Sequence, residues 1–67
     1  PHLTPSDLEE LWAIWLSDPR IPTRASRHAW AASRNISPIR IDYWFRSRKT
    51  KAKKLGQPIA NETYELP

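Results

Sequence analysis

The chain has 67 residues with seven Pro, one Gly and no Cys, and 11 Lys and Arg against 7 Asp and Glu give a net charge of +4. That length confines it to one domain, and the lack of Cys excludes a disulfide scaffold or a Cys-containing zinc site, so a compact core has to rest on residues such as its four Trp. No apolar run approaches the roughly 20 residues that span a bilayer, P-H-L-T-P does not read as a signal peptide, and the absence of Cys suits an intracellular setting.

Pro1 reads as a cut that isolates one domain of a longer parent. T-P-S-D-L-E-E-L then opens a first helix expected over about residues 5 to 17. Thr4 is its cap, Pro5 suits the first helical position, and Asp7 and Glu9 favour the positive helix end. Ser6 with Glu9 is an alternative capping box. Leu8, Trp12 and Leu16 recur at helical spacing, with Leu11 and Trp15 beside them. Pro19 and Pro22 stop this helix and impose an extended link, S-D-P-R-I-P.

Thr23 caps a second helix that reaches about Arg34, with Ala29, Trp30 and Ala32 as candidates for burial. Asn35 suits the left-handed conformation that ends a helix, and Ile36 plugs inward. Ser37 caps and Pro38 starts a third helix, expected over about 38–55, with Ile41, Trp44 and Phe45 on its repeat. Gly56 and Pro58 end it. The remaining Q-P-I-A-N-E-T-Y-E-L-P has no period and reads as an irregular tail.

The expected fold is therefore all-α, a three-helix bundle. Only R-N-I-S separates the last two helices, and so short a joint is a helix-turn-helix signature. The third helix also carries the charge. Six of the nine residues from Arg46 to Lys54 are Lys or Arg, and none is acidic. Trp44 and Phe45 would fasten this helix to the core while its other side stays basic, as a helix held rigidly in the major groove of DNA requires.

I-R-I-D-Y-W-F-R-S-R-K-T-K resembles the third helix of a homeodomain, in which an aliphatic residue is followed two residues on by W-F, two variable positions and a basic run. Aligned without a gap, Trp12 falls on the family's helix-one leucine and Leu16 on its helix-one aromatic. Ile21 falls on the loop aromatic, Trp30 on a helix-two leucine and Ile36 on the apolar turn residue. The resemblance covers residues 1–56, with 57–67 as the tail. It implies a nuclear, DNA-binding transcription regulator with double-stranded DNA as partner. Base-facing positions fall on Tyr43, Arg46, Ser47 and Thr50. Phosphate-contacting positions fall on Ile21, Arg27, Arg40, Trp44, Lys49, Lys51 and Lys53, with Arg24 and Lys54 as further candidates. Arg46 is the expected base reader, its fork matching guanine O6 and N7; Tyr43 and Thr50 suit a thymine methyl or a base edge.

Three departures qualify this expectation. The family's adenine-reading Asn is Ser47, which cannot make the bidentate amide contact. The loop aromatic is Ile21, and P-H-L-T before the first helix supplies none of the family's basic arm. In the same register Leu11 would face Ser33 and Trp15 would face Ser26, while Ala13 stands where an acid would pair with Arg48. Leu11, Ile14 and Trp15 would then form an exposed apolar stripe, either a surface for a protein partner such as a second homeodomain or a face covered by Ile59, Tyr64 or Leu66 of the tail. The alternative function is thus a homeodomain-like protein-interaction module with weak or non-specific DNA binding.

An enzyme is not expected. His2 and His28 are isolated, with no metal-ligand spacing, so no metal or cofactor is implied. Asp42 reads as a local charge partner of Arg40 or Arg46. A basic membrane-surface helix is disfavoured because W-F is needed for the core.

Overall fold

The computed structural model describes residues 3–58 and 61–66. It contains three helices, α1 (Pro5–Ser17), α2 (Arg24–Ser33) and α3 (Pro38–Lys54), gathered around one small core. Among the described residues there is no strand, only an isolated bridge between Pro22 and Tyr64.

The helix ends follow from local chemistry. Thr4 closes a capping box with Asp7: the Asp7 amide donates to Thr4 Oγ1 and the Thr4 amide to Asp7 Oδ2, both at 3.1 Å. This replaces the alternative box from Ser6 to Glu9. Thr23 Oγ1 accepts from the Ser26 amide at 3.3 Å. Ser37 occupies the cap position of α3, but its side chain makes no capping hydrogen bond; its carbonyl accepts from the Arg40 amide instead.

The turn between α2 and α3 is set by Asn35, which sits at φ 56°. The Ile36 amide reaches back to the Ala31 carbonyl at 2.9 Å and the Asn35 amide to that of Ala32 at 3.2 Å. This paired closure is a Schellman motif, and it drives Ile36 into the core. Gly56 repeats it after α3 at φ 72°, with the Gln57 amide on the Ala52 carbonyl.

The core comprises Leu11 and Trp15 of α1, Ala31 of α2, Ile36 of the turn, and Ile41, Phe45 and Ala52 of α3. Leu3, Ile14, Ile21, Trp30 and Trp44 pack against its edge, and Pro22 is fully buried beside it. Close backbone approach between helices, within 8 Å, is confined to α2 and α3. Long side chains bridge the wider gap to α1: the rings of Trp12 and Trp44 meet edge to face at 6.1 Å, and Trp44 meets Phe45 the same way at 5.1 Å.

The packing departs from three sequence expectations. Leu11 and Trp15, assigned to an exposed partner stripe with Ile14, are 0% and 6% exposed. Trp12 and Leu16, which the ungapped alignment turned inward, are 42% and 74% exposed. Leu8, Leu11, Trp12, Trp15 and Leu16 on α1 offer two inward faces about one residue apart in rotation, and the structure takes the face that buries Leu11 and Trp15. In α2 the buried alanine is Ala31; Ala29 and Ala32 face outward and Trp30 is half-buried.

Candidate nucleic-acid interface

At 3.6 residues per turn the buried residues Ile41, Phe45 and Ala52 define one side of α3. The opposite side carries Tyr43, Arg46, Ser47, Thr50 and Lys54, which with Lys51 line a shallow groove of ≈ 330 Å³. All four positions expected to face bases therefore share one surface. Tyr43 is 71% exposed, Arg46 and Thr50 are exposed, and Ser47 is half-buried. Thr50 Oγ1 donates to the Arg46 carbonyl at 3.1 Å, which occupies its hydroxyl and leaves its methyl group to the groove.

Cations flank this face on both sides. Arg40 and Lys51 lie along one edge and Lys49 and Lys53 along the other, by their positions on the helix. Lys51, Lys53 and Lys54 also fall in the last turn, where positive charge suits the helix dipole. Among the described residues, the side chains of Arg24, Arg40, Arg46, Lys51, Lys53 and Lys54 enter none of the ion pairs. Trp44, also expected at phosphate, is half-buried, and borders a second groove of ≈ 510 Å³ shared with Ile39, Arg40, Tyr43 and Lys51.

Arg27 and Asp42 differ from expectation. Arg27 is committed internally: its Nε donates to Asp42 Oδ1 at 2.7 Å and its Nη1 to the Pro22 carbonyl at 2.6 Å. Asp42 consequently pairs across to α2 and not with Arg40 or Arg46, because its position on α3 faces α2. His28 Nε2 approaches the other carboxylate oxygen at 3.2 Å. Burial works against the Asp42 charge, but hydrogen bonds and charge from Arg27 and His28 outweigh it and hold its pKa below the ordinary carboxylate value. His2 and Ile59 lie outside the described residues.

This pair makes stability acid-sensitive. A carboxylate with a lowered folded pKa stabilises fully above its unfolded value, about 3.9, and loses that contribution as pH falls through the folded value. Asp42→Asn is expected to cost about 1–2 kcal/mol at pH 7, since Arg27 loses a charge-assisted partner. Thermal melts check this: the gap between wild type and variant should narrow below about pH 4. A constant gap would assign the loss to packing instead.

Arg48 also points away from the groove. Its guanidinium lies over the Trp12 ring, 4.5 Å from the centroid, so the cation is held by an aromatic and not by the acid for which Ala13 stands in the alignment. Leu8, Trp12, Leu16 and Leu55 are the large apolar side chains left in solvent on and beside α1, replacing Leu11 and Trp15 as candidates for partner contact.

The sequence offered the tail as one of two covers for α1, with Leu66 now found in the groove beside Ile14, but not its attachment to the α1–α2 link. Residues 61–66 return to the link between α1 and α2. The Thr23 amide donates to the Tyr64 carbonyl at 2.9 Å, and the Leu66 amide donates to Ser26 Oγ at 3.1 Å. Ser26 Oγ in turn donates to the Glu65 carboxylate. Arg20 is bidentate to Asp18, at 2.7 and 2.5 Å, and its guanidinium also covers the Tyr64 ring at 4.8 Å. A tail without periodicity gives no local signal of such a long-range contact.

Among the described residues no cluster of three or more His, Cys, Asp or Glu could hold a metal ion, and no helix is long and apolar enough to cross a membrane. No family model, curated protein or solved structure matches the chain.

Proposed function

We propose that the chain is a DNA-binding domain of the homeodomain type from a transcription regulator acting in the nucleus, with α2 and α3 as a helix-turn-helix and α3 in the major groove. The observation that carries this reading is the composition of one face of α3: Arg46, in no ion pair among the described residues, between Tyr43, Ser47 and Thr50, flanked on both edges by lysines and Arg40. The arrangement matches what groove recognition demands, with base-edge donors in the middle and phosphate-neutralising charge at the sides. Ile41 and Phe45 support it from behind, buried beneath the same helix.

The burial of Leu11 and Trp15 adjusts the resemblance without removing it. If these two take the family's inward positions on the first helix, the link before α2 is one residue longer than an ungapped alignment allows. Trp12 then falls where an acid pairs with Arg48 in the family, and it is the Trp12 ring that Arg48 covers.

A second reading, a protein-interaction module of the same fold with weak DNA binding, is favoured by Ser47 and by the exposed Leu8, Trp12, Leu16 and Leu55. Selection from a random duplex pool at moderate salt separates the two. A specific binder exceeds its own non-specific affinity by about 10³ to 10⁷ and enriches one motif. Absence of enrichment, with a molecular mass that rises with concentration, supports the interaction module.

A further inference from the structure

The tail runs from Lys49 of α3, which it meets at Asn61, to the α1–α2 link and the first turn of α2, which it meets at Glu62, Tyr64 and Glu65. Asn61 Oδ1 accepts from Lys49 Nζ at 3.2 Å, Glu62 lies 3.7 Å from the Arg20 guanidinium, and Glu65 is held by Ser26 at the opening of α2. Within six residues the tail thus supplies two carboxylates and an amide oxygen to a surface made of Arg20, Lys49 and a helix N-terminus. These are oxygen ligands on donors that suit a phosphodiester. We propose that residues 61–66 form an acidic strap that covers the phosphate-docking surface between the start of α2 and Lys49 and must be displaced when a nucleic-acid backbone docks there. The inference rests on the DNA-binding reading above and specifies how that site is regulated.

The strap is held, but incompletely. Hydrogen bonding from Ser26, and then from Thr23, lowers the Glu65 pKa, so the carboxylate is anionic at neutral pH. The Tyr64 ring lies under Arg20 while its buried hydroxyl finds no partner among the described residues. An unpaired buried hydroxyl makes the docked state costlier than a fully bonded one. Glu62 and Asn61 are exposed at the side facing Lys49 and are open to exchange with a phosphate oxygen. Displacement would return Lys49 to the cationic edge of α3 and expose the first turn of α2, while Arg20 stays paired with Asp18.

The test uses the full chain and Tyr64→Ala, which weakens the strap without altering charge. Affinity for a duplex is measured by fluorescence anisotropy, with exchange protection of the Thr23 amide followed with and without duplex. Competition predicts binding about 3- to 10-fold tighter for Tyr64→Ala, with Glu62→Gln plus Glu65→Gln shifting the same way, and loss of Thr23 protection when duplex is added to wild type. Equal or weaker binding by Tyr64→Ala, or a Thr23 amide still protected in the complex, would overturn the strap and leave the tail a structural brace. If neither wild type nor any variant binds duplex, the DNA-binding reading fails and the strap with it, an outcome distinct from equal binding.

Discussion

Arg46→Ala is expected to weaken binding to an enriched duplex by about 1–3 kcal/mol, roughly 5- to 150-fold, and to relax selectivity at one base pair. The reason is geometric. Arg46 stands in the middle of the exposed face of α3 without an ion pair among the described residues, so its planar fork is available for a guanine edge. Lys53→Ala supplies the contrast. It lies at the edge of the same face, and its loss should weaken all duplexes alike and lower the salt slope by about one. Affinities of both variants on the enriched and a scrambled duplex, each at several salt concentrations, provide the measurement. If Arg46→Ala behaved like Lys53→Ala, α3 would grip phosphates without reading sequence.

Phe45→Ala is expected to remove most of the folded population. Its ring is 1% exposed and sits among Leu11, Ile41 and the edge of Trp44. Truncating a buried Phe costs about 3–5 kcal/mol. A domain of this length carries roughly 3–10 kcal/mol in total, at about 0.05–0.15 kcal/mol per residue. The cooperative thermal transition seen by circular dichroism should shift far down or vanish, while Phe45→Leu should retain it. The same melts decide the rotation of α1. Leu11→Ala should cost about 2–5 kcal/mol, and Leu16→Ala should stay within about 0.5 kcal/mol. The reverse order would restore the inward Leu16 of the ungapped alignment.

Which parts of this fold were legible in the sequence follows from the range of the interactions involved. Thr4, Thr23, Asn35 and Gly56 act on backbone groups a few residues away, so the bounds of all three helices could be read closely. The charged face of α3 was legible for the same reason: a helix fixes which residues are neighbours at three and four apart. The inward side of α1 was not. Leu8, Leu11, Trp12, Trp15 and Leu16 form an apolar arc too broad for periodicity to choose its centre, and the choice is made by tertiary packing, which buries Leu11 and Trp15 in the core. Asp42 was placed wrongly because the cations nearest in sequence, Arg40 and Arg46, are on its own helix, whereas Arg27 reaches it from another. The tail was the least legible, since Tyr64 and Glu65 meet Thr23 and Ser26 about 40 residues earlier in the chain.

The restriction of close backbone approach to α2 and α3 has a kinetic consequence. Their contacts span a four-residue turn, so the entropy lost in closing them is small and this pair can assemble early. The first helix joins through side chains, chiefly Leu11 and Trp15 in the core and Trp12 against Trp44, over a longer loop, and belongs to a later step. Substitutions at Ile41 should therefore slow folding, whereas those at Leu11 should mainly hasten unfolding. A nascent α3 would exist before the helix that braces it from behind.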